Sequence, residues 1–362
     1  MTPDPILARL IDQVRAAMAD QRALAIHGGR TKAFYGEPLH GEPLDLRPLA
    51  GLSSYEPSEL VVTARAGTPL ADLEAALAEK GQCLPFEPPR FAPGGTVGGM
   101  VAAGLSGPSR AAVGAVRDYV LGATMLNGRA EVLSFGGQVM KNVAGYDVPR
   151  LLAGSLGSLG VILEVSLKVL PVAPATATLR FEMDEGTAIH RLNEWAAQPL
   201  PLNASAWWDG TLLVRLRGAR AAVSAACQRL GGEPIPEHQA GPFWEGLRDQ
   251  RDEFFTQARA AVQAGASLWR VSVPQTTPPL KLAGQQLIEW GGGQRWWCTP
   301  SPAAAVREAA RRAGGHATRF LGPADGPVFT PLSPVLQGIH RALKAAFDPQ
   351  GLFNPGRLMS GL

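Results

Sequence analysis

The chain has 362 residues, enough for two or three domains and a sizeable core, with 46% hydrophobic residues and a net charge of +3. That charge is too small for a nucleic-acid surface, and no Lys/Arg run supplies a basic patch. Cys83, Cys227 and Cys298 lack CxxC spacing, and the histidines show no HExxH pairing, so neither a zinc site nor an iron–sulfur cluster is expected. The apolar stretches are broken by glycine and fall short of the roughly 20 residues of a membrane span. The N-terminus has no signal-type apolar core, so a cytoplasmic protein is expected, with any membrane association peripheral and made through partners.

Residues 4–20 carry Ile6, Leu7, Leu10, Ile11, Val14 and Met18 at helical spacing and predict an amphipathic helix. Residues 23–27 read as a short strand that runs straight into Gly28, Gly29, Arg30, Thr31 and Lys32. A strand over 60–66 is followed by Thr68 and Pro69, an N-cap and first-turn proline for a helix that Gly81 stops. A short helix is expected around 97–103, then a hairpin turning at Asn127-Gly128. Residues 161–169 alternate apolar and polar, which predicts a strand with one buried face.

Pro171 and Pro174 mark a boundary, and beyond it strands and helices alternate in two loosely similar units. The first has strands on either side of Asp209-Gly210 and a helix over 219–230. The second has strands SLWRVSV, QRWWC and HATRF, a helix through Trp290 and another over 302–313. Both suit an antiparallel sheet with helices on one face. The pairs Trp207-Trp208 and Trp296-Trp297 place one tryptophan on each sheet face, so one of each pair can be core and the other exposed, which suits core packing or a protein interface ahead of stacking on a ligand ring. A last helix, capped by Ser333, precedes FDPQGLFNPGRL. The fold class is α+β, with a first domain over 1–172, a smaller antiparallel-sheet-plus-helices domain over 173–330, and a C-terminal helix and tail over 331–362.

Three glycine clusters in the first domain point to one large phosphate-bearing ligand, because residues without a Cβ let backbone amides crowd against an anion. The run from Gly154 through Gly157 to Gly160 superficially matches GxGxxG, but it follows a helix and opens a strand, the reverse of a dinucleotide fingerprint. The cluster at Gly94, Gly95, Gly98 and Gly99 follows a proline-rich loop that is unsuited to a central strand. No GK[ST] exists, which removes the P-loop reading.

The ordered segments HGGRTKAFYG, PGGTVGGMVAAGLSGP, RDYVLG, FGGQVMKNVAGYD and GSLGSLGVILEVSLKVLP resemble flavoproteins of the vanillyl-alcohol-oxidase type. More narrowly, they resemble the FAD-binding subunits of glycolate oxidase complexes. The resemblance covers 1–172, resumes in the tail and is weak between. It implies a PCMH-type FAD-binding domain of two subdomains, a reduced cap domain, and a tail that returns to the FAD domain. His27, Gly28, Gly29, Arg30, Thr31 and Lys32 would wrap the pyrophosphate. Pro93, Gly94, Gly95, Thr96, Val97, Gly98, Gly99 and Gly107 would close on it from the other side. Gly154, Gly157, Gly160, Val161 and Ile162 would run along the adenosine or flavin.

Departures from the family pattern carry their own implications. Flavinylated relatives have a histidine after the first glycine pair, where this chain has Arg30, so FAD is expected to be non-covalent. The GHxGDGNxH signature of the catalytic subunits is reduced to Gly315-His316-Ala317-Thr318, so no catalytic residue is assigned. The resemblance therefore implies an FAD-binding subunit that assists oxidation of glycolate to glyoxylate. A larger FAD-containing catalytic subunit would carry the substrate site, and an iron–sulfur subunit would carry electrons onward. A scaffold with a vestigial FAD site and a free-standing FAD oxidoreductase are the alternatives.

Overall fold

A computed structural model describes residues 4–137 and 146–362; Lys141–Gly145 of the KNVAGYD motif lie outside the described residues. The chain opens with α1 (Pro5–Asp20), whose first turn is capped by Asp4 accepting from the Ile6 and Leu7 amides. Its apolar stripe covers a small parallel pair, β1 (Leu24–His27) and β2 (Glu42–Asp45), around Leu10, Val14, Leu24 and Leu44. The second subdomain contains β3 (Leu52–Glu56), β4 (Val61–Arg65), α2 (Leu70–Glu79), a short β5 (Gln82–Cys83), α3 (Val97–Ala103), α4 (Arg110–Val113), β6 (Val120–Leu126) and β7 (Val132–Gly136). It closes with α5 (Val148–Leu152), β8 (Val161–Lys168) and a short β9 (Leu170–Pro171), giving a five-stranded sheet in the order β3-β4-β8-β6-β7.

Three local expectations change here. Pro69, not Thr68, occupies the cap position of α2; the Thr68 hydroxyl instead exchanges hydrogen bonds with the Gly51 backbone. The β6–β7 connection is a five-residue loop rather than a tight Asn-Gly turn. Asn127 Oδ1 accepts from the Arg129 and Glu131 amides, and Gly128 is pressed against Asp348. Central strand β8 is covered on both faces, with only Glu164 and Lys168 less than buried. A register shift near Met125 lets Val161 and Leu163 join the α1 core while Ile162, Val165 and Leu167 join the α2–α3 core.

The second half holds β10 (Ala175–Glu182), α6 (Glu185–Ala196), β11 (Leu202–Trp208), β12 (Thr211–Gly218), α7 (Arg220–Leu230), β13 (Glu233–Ile235), α8 (Glu237–Arg248), α9 (Glu253–Gln263) and β14 (Ser267–Ser272). It continues with β15 (Gln285–Glu289), β16 (Gln294–Thr299), α10 (Ala303–Arg312), β17 (His316–Leu321) and α11 (Pro334–Phe347). One eight-stranded sheet results, in the order β13-β10-β12-β11-β15-β16-β14-β17. Each half of it runs fourth-first-third-second in chain order, and the halves join antiparallel through β11 and β15. The loose similarity of the two sequence units is thus a structural repeat, with a loop over 273–284 in place of the first helix of the second unit.

The expected helix through Trp290 is instead strand β15 followed by a short 3-10 turn, where Gly291 takes a φ of +66°. Helices also cover both sheet faces rather than one. The α6, α7 and α10 helices pack on one face, and α8 and α9 pack on the other with Tyr35, Leu105 and Leu156. This removes the expected exposed tryptophans. Trp207 and Trp297 face the first set, Trp208 and Trp296 face the second, and none is exposed.

The two halves are locked by buried charge. Glu87, on the loop after β5, receives Arg215 from β12 at 2.7 and 2.8 Å and Arg217 at 3.3 Å. Burial alone would raise the Glu87 pKa, but Arg215 and Arg217 hold it below the usual range. Nearby, Asp249 accepts the Arg90 amide at 3.0 Å and pairs with Arg248 and Arg251. Glu87→Ala leaves the Arg215 guanidinium buried and unpaired, and the expected loss is about 3 kcal/mol of stability. A denaturant melt checks this; an unchanged midpoint contradicts the lock.

Candidate functional site

The β1 strand delivers His27 and the turn after it to a cleft of about 330 Å³ lined by residues 25–33 together with Thr96, Gly99, Ala102, Ala103, Leu156, Asn354 and Arg357. A narrower pocket of about 70 Å³ continues the cleft, sharing His27, Gly28, Thr96, Gly99, Ala102, Leu156 and Asn354. It adds Gly98, Gly157, Gly160 and Ile162, with Leu46 and Ala66 as apolar walls. The glycine clusters that lie far apart in sequence therefore meet around one cavity system.

The reason is close backbone approach. A Cβ on Gly29 would lie 1.6 Å from the Gly94 carbonyl oxygen, so the first and second loops touch main chain to main chain. Gly157 takes a φ of +74°, and a Cβ there would meet Asn354 Nδ2 at 2.6 Å. The α3 helix starts in the cleft wall, capped by Thr96 Oγ1 accepting from the Gly99 amide at 3.2 Å. The backbone amides of Gly28, Gly29, Arg30, Thr31 and Lys32 donate to no acceptor among the described residues. Arg30 sits at a φ of +56°, in a turn of the kind whose successive N–H groups form an anion-binding concavity.

Lys32 also lines the cleft, with its ammonium 5.5 Å from the Phe91 ring centroid. Burial lowers its pKa to about 8 against the opposing pull of Asp249 and Glu74. His27 Nδ1 lies 3.2 Å from the Gly28 carbonyl and 3.8 Å from Asp45.

Other sequence-selected residues lie elsewhere. Gly94 backs the first loop without lining the cleft, and neither Pro93 nor Gly95 lines it. Val97 and Val161 have fully buried side chains in the two cores. Gly107 packs against Glu87, and its carbonyl accepts the Trp290 indole N–H at 3.1 Å. Gly154 borders a larger cavity of about 820 Å³ that shares Ala103 and Leu156 with the cleft.

Sequence reasoning missed Asn354 and Arg357, although the FNPG run was visible. Asn354 Oδ1 accepts the Ile26 amide and its Nδ2 donates to the Leu156 carbonyl, both at 2.7 Å. One amide side chain thus ties the first loop's strand to the third glycine loop. Arg357 donates to the carbonyls of Ala33, Tyr35 and Glu37 and pins the chain after Lys32.

Residues 7–136 match the FAD binding domain family model. The chain is 46% identical over 353 residues to the glycolate oxidase subunit GlcE of Escherichia coli (strain K12), covering 98% of this chain and 97% of that protein. The chain belongs to the GlcE family of glycolate oxidase subunits. It is also 26% identical to the glycolate oxidase subunit GlcD of Bacillus subtilis (strain 168), over 83% of this chain and 76% of that one. In fold it is similar to an alkyldihydroxyacetonephosphate synthase, with a TM-score of 0.66 at 15% identity over 96% of this chain and 74% of that one.

Asn354→Ala removes both ties at once and leaves the buried Leu156 carbonyl without its partner. The expected cost is about 1–3 kcal/mol of stability together with weaker cofactor retention. Thermal melting and flavin content of the purified variant check this; wild-type values for both contradict it.

Proposed function

We propose that this chain binds FAD without a covalent link and serves as a flavin-carrying subunit of an oxidoreductase complex that converts glycolate, a 2-hydroxy acid, to glyoxylate. The observation that carries the reading is the row of five unspent backbone amides, from Gly28 to Lys32, in a cleft that three glycine loops build together. These amides are fixed dipoles that would hold the pyrophosphate without a metal, with the Lys32 ammonium as the mobile charge beside them. Bound FAD supplies the capacity to accept a hydride.

The family supports the assembly: relatives of this chain are named subunits of glycolate oxidase. A larger flavoprotein would carry the substrate site and an iron–sulfur subunit would take electrons onward. Among the described residues no group of His, Cys, Asp or Glu is placed to hold a metal ion, and no helix is long and apolar enough to cross a membrane. The working location would be the cytoplasm, or the inner membrane surface reached through partners.

Supplied with FAD and freed of excess, the purified chain is expected to keep a flavin absorbance spectrum; a colourless protein overturns the reading. Lys32 is cationic below about pH 8 and neutral above it, so FAD affinity is expected to fall as pH rises through that value. Lys32→Met is expected to bind FAD about tenfold more weakly at pH 7 and to lack that fall. Parallel pH profiles for the two proteins would contradict this role of Lys32.

A further inference from the structure

A cavity of about 210 Å³ lies inside the second half of the chain, between the sheet strands β11, β12 and β15 and the helices α8 and α9. Ala206 and Leu287 form its buried floor, and two half-buried rings, Trp208 from β11 and Phe243 from α8, stand in its walls. Each ring is held edge-on by a neighbour, Trp208 by Phe254 at 6.3 Å and Phe243 by Trp244 at 5.0 Å between centroids. The charged lining is acidic: Asp252 and Glu253, at the start of α9. Among the described residues no lysine, arginine or histidine lines the cavity.

Asp252 uses only one of its two oxygens. Oδ1 caps α9 by accepting the Phe255 amide at 3.1 Å, whereas Oδ2 is buried with no hydrogen-bond partner among the described residues. Other buried acids of the molecule are answered by cations: Glu87 by Arg215, and Asp249 by Arg248 and Arg251. The cation whose charge reaches Asp252 is the exposed Arg259, one turn or more along α9. Burial raises the Asp252 pKa to about 6 against the pull of the Phe255 and Phe254 amides and of Arg259. A second acid deepens the negative field. Glu289 is buried on β15 and accepts the Trp296 and Gln294 N–H groups with Oε2; burial, with the charge of Asp252 added, raises its pKa to about 7. Arg270, which faces the cavity of about 820 Å³, offsets part of the Glu289 charge. Apolar and aromatic walls thus surround a carboxylate that lacks a counter-charge, which is costly unless a ligand supplies one.

We propose that this cavity binds a small organic cation, an ammonium or guanidinium on an apolar body, with Asp252 Oδ2 as its counter-charge and the Trp208 and Phe243 rings beside it. A cation is attracted to aromatic rings, and its N–H groups make charge-assisted hydrogen bonds to a carboxylate oxygen. The apolar body would displace water from Leu213 and Leu287. A divalent metal ion suits the walls poorly, because it takes about six or more oxygen ligands. Among the described residues no group of three or more His, Cys, Asp or Glu is placed to hold one. The site shares no residue with the cofactor cleft and does not depend on the flavin reading.

Calorimetric titration of the full chain with benzylamine, and with benzyl alcohol as its neutral counterpart, tests the site. At pH 7.5 benzylamine is expected to bind saturably and at least about tenfold more tightly than benzyl alcohol. The Asp252 carboxylate is charged above about pH 6 and neutral below it, so benzylamine, cationic throughout, is expected to bind about tenfold more weakly at pH 5. Asn caps a helix about as well as Asp, so Asp252→Asn keeps α9; it is expected to weaken benzylamine by about tenfold and to flatten the pH profile. Trp208→Leu is expected to weaken benzylamine by about threefold or more with the pH profile retained. Absence of saturable benzylamine binding overturns the proposal, as does benzyl alcohol binding as tightly, or Asp252→Asn matching the wild type in affinity and pH profile.

Discussion

Where α11 meets the loop before β8, Lys344 and Asp348 are buried together at 2.8 Å. Removing two charges from water is costly unless every remaining hydrogen-bonding site is filled. Here the ammonium also donates to the Ser158 and Phe353 carbonyls, each at 2.7 Å, and the carboxylate accepts the Leu352 and Phe353 amides. Burial lowers the Lys344 pKa, with Asp348 opposing that shift. This network fixes the tail from 352 onward against the third glycine loop. Asn354 then reaches Ile26 and Leu156, and Arg357 reaches the chain after Lys32. The cleft therefore has its shape because the last residues of the chain brace two loops that arise far apart in sequence.

A second set of constraints holds the eight-stranded sheet against the first domain. The Glu87–Arg215 pair and the Asp249 cluster tie the two halves at one edge. An aromatic chain fills the middle: Phe34, Phe91 and Tyr35 pack on Phe320, which in turn meets Trp296 at 4.8 Å between ring centroids. The segment that follows the amide row thus lies directly on the sheet, so the sheet's position and the loop's conformation are coupled. The cavity bearing Arg270 is the space left beyond that aromatic chain, bounded by α11 and the tail. The cleft and this cavity share the same bracing.

The parts of the fold legible in the sequence were those with strong local chemistry. The apolar spacing from Ile6 to Met18 announced α1, Ser333 announced a helix start, the alternation after Gly160 announced β8, and glycine density announced close backbone approach. Short edge strands such as β2 and β3 escaped because they are mostly exposed and carry little pattern. The α8 and α9 helices went unread, although Asp252 caps the second of them. Trp290 misled because an apolar run before three glycines reads equally as a helix end or a strand end. The tryptophan pairs were placed on the correct faces, but their burial depended on helices packing against both. Asn354 and Arg357 were beyond local reasoning: each matters through partners contributed by distant segments, which a linear pattern does not encode.

The central claim is that the unspent amides of residues 28–32 grip the cofactor's phosphates while the tail holds them in place. Hydrogen–deuterium exchange of the purified chain with and without stoichiometric FAD addresses it most directly. The account predicts that FAD slows exchange at residues 28–32 and at the Gly94–Gly99 loop, with far smaller changes on the outer face of the eight-stranded sheet. Bound FAD with unaltered exchange at residues 28–32 would contradict it.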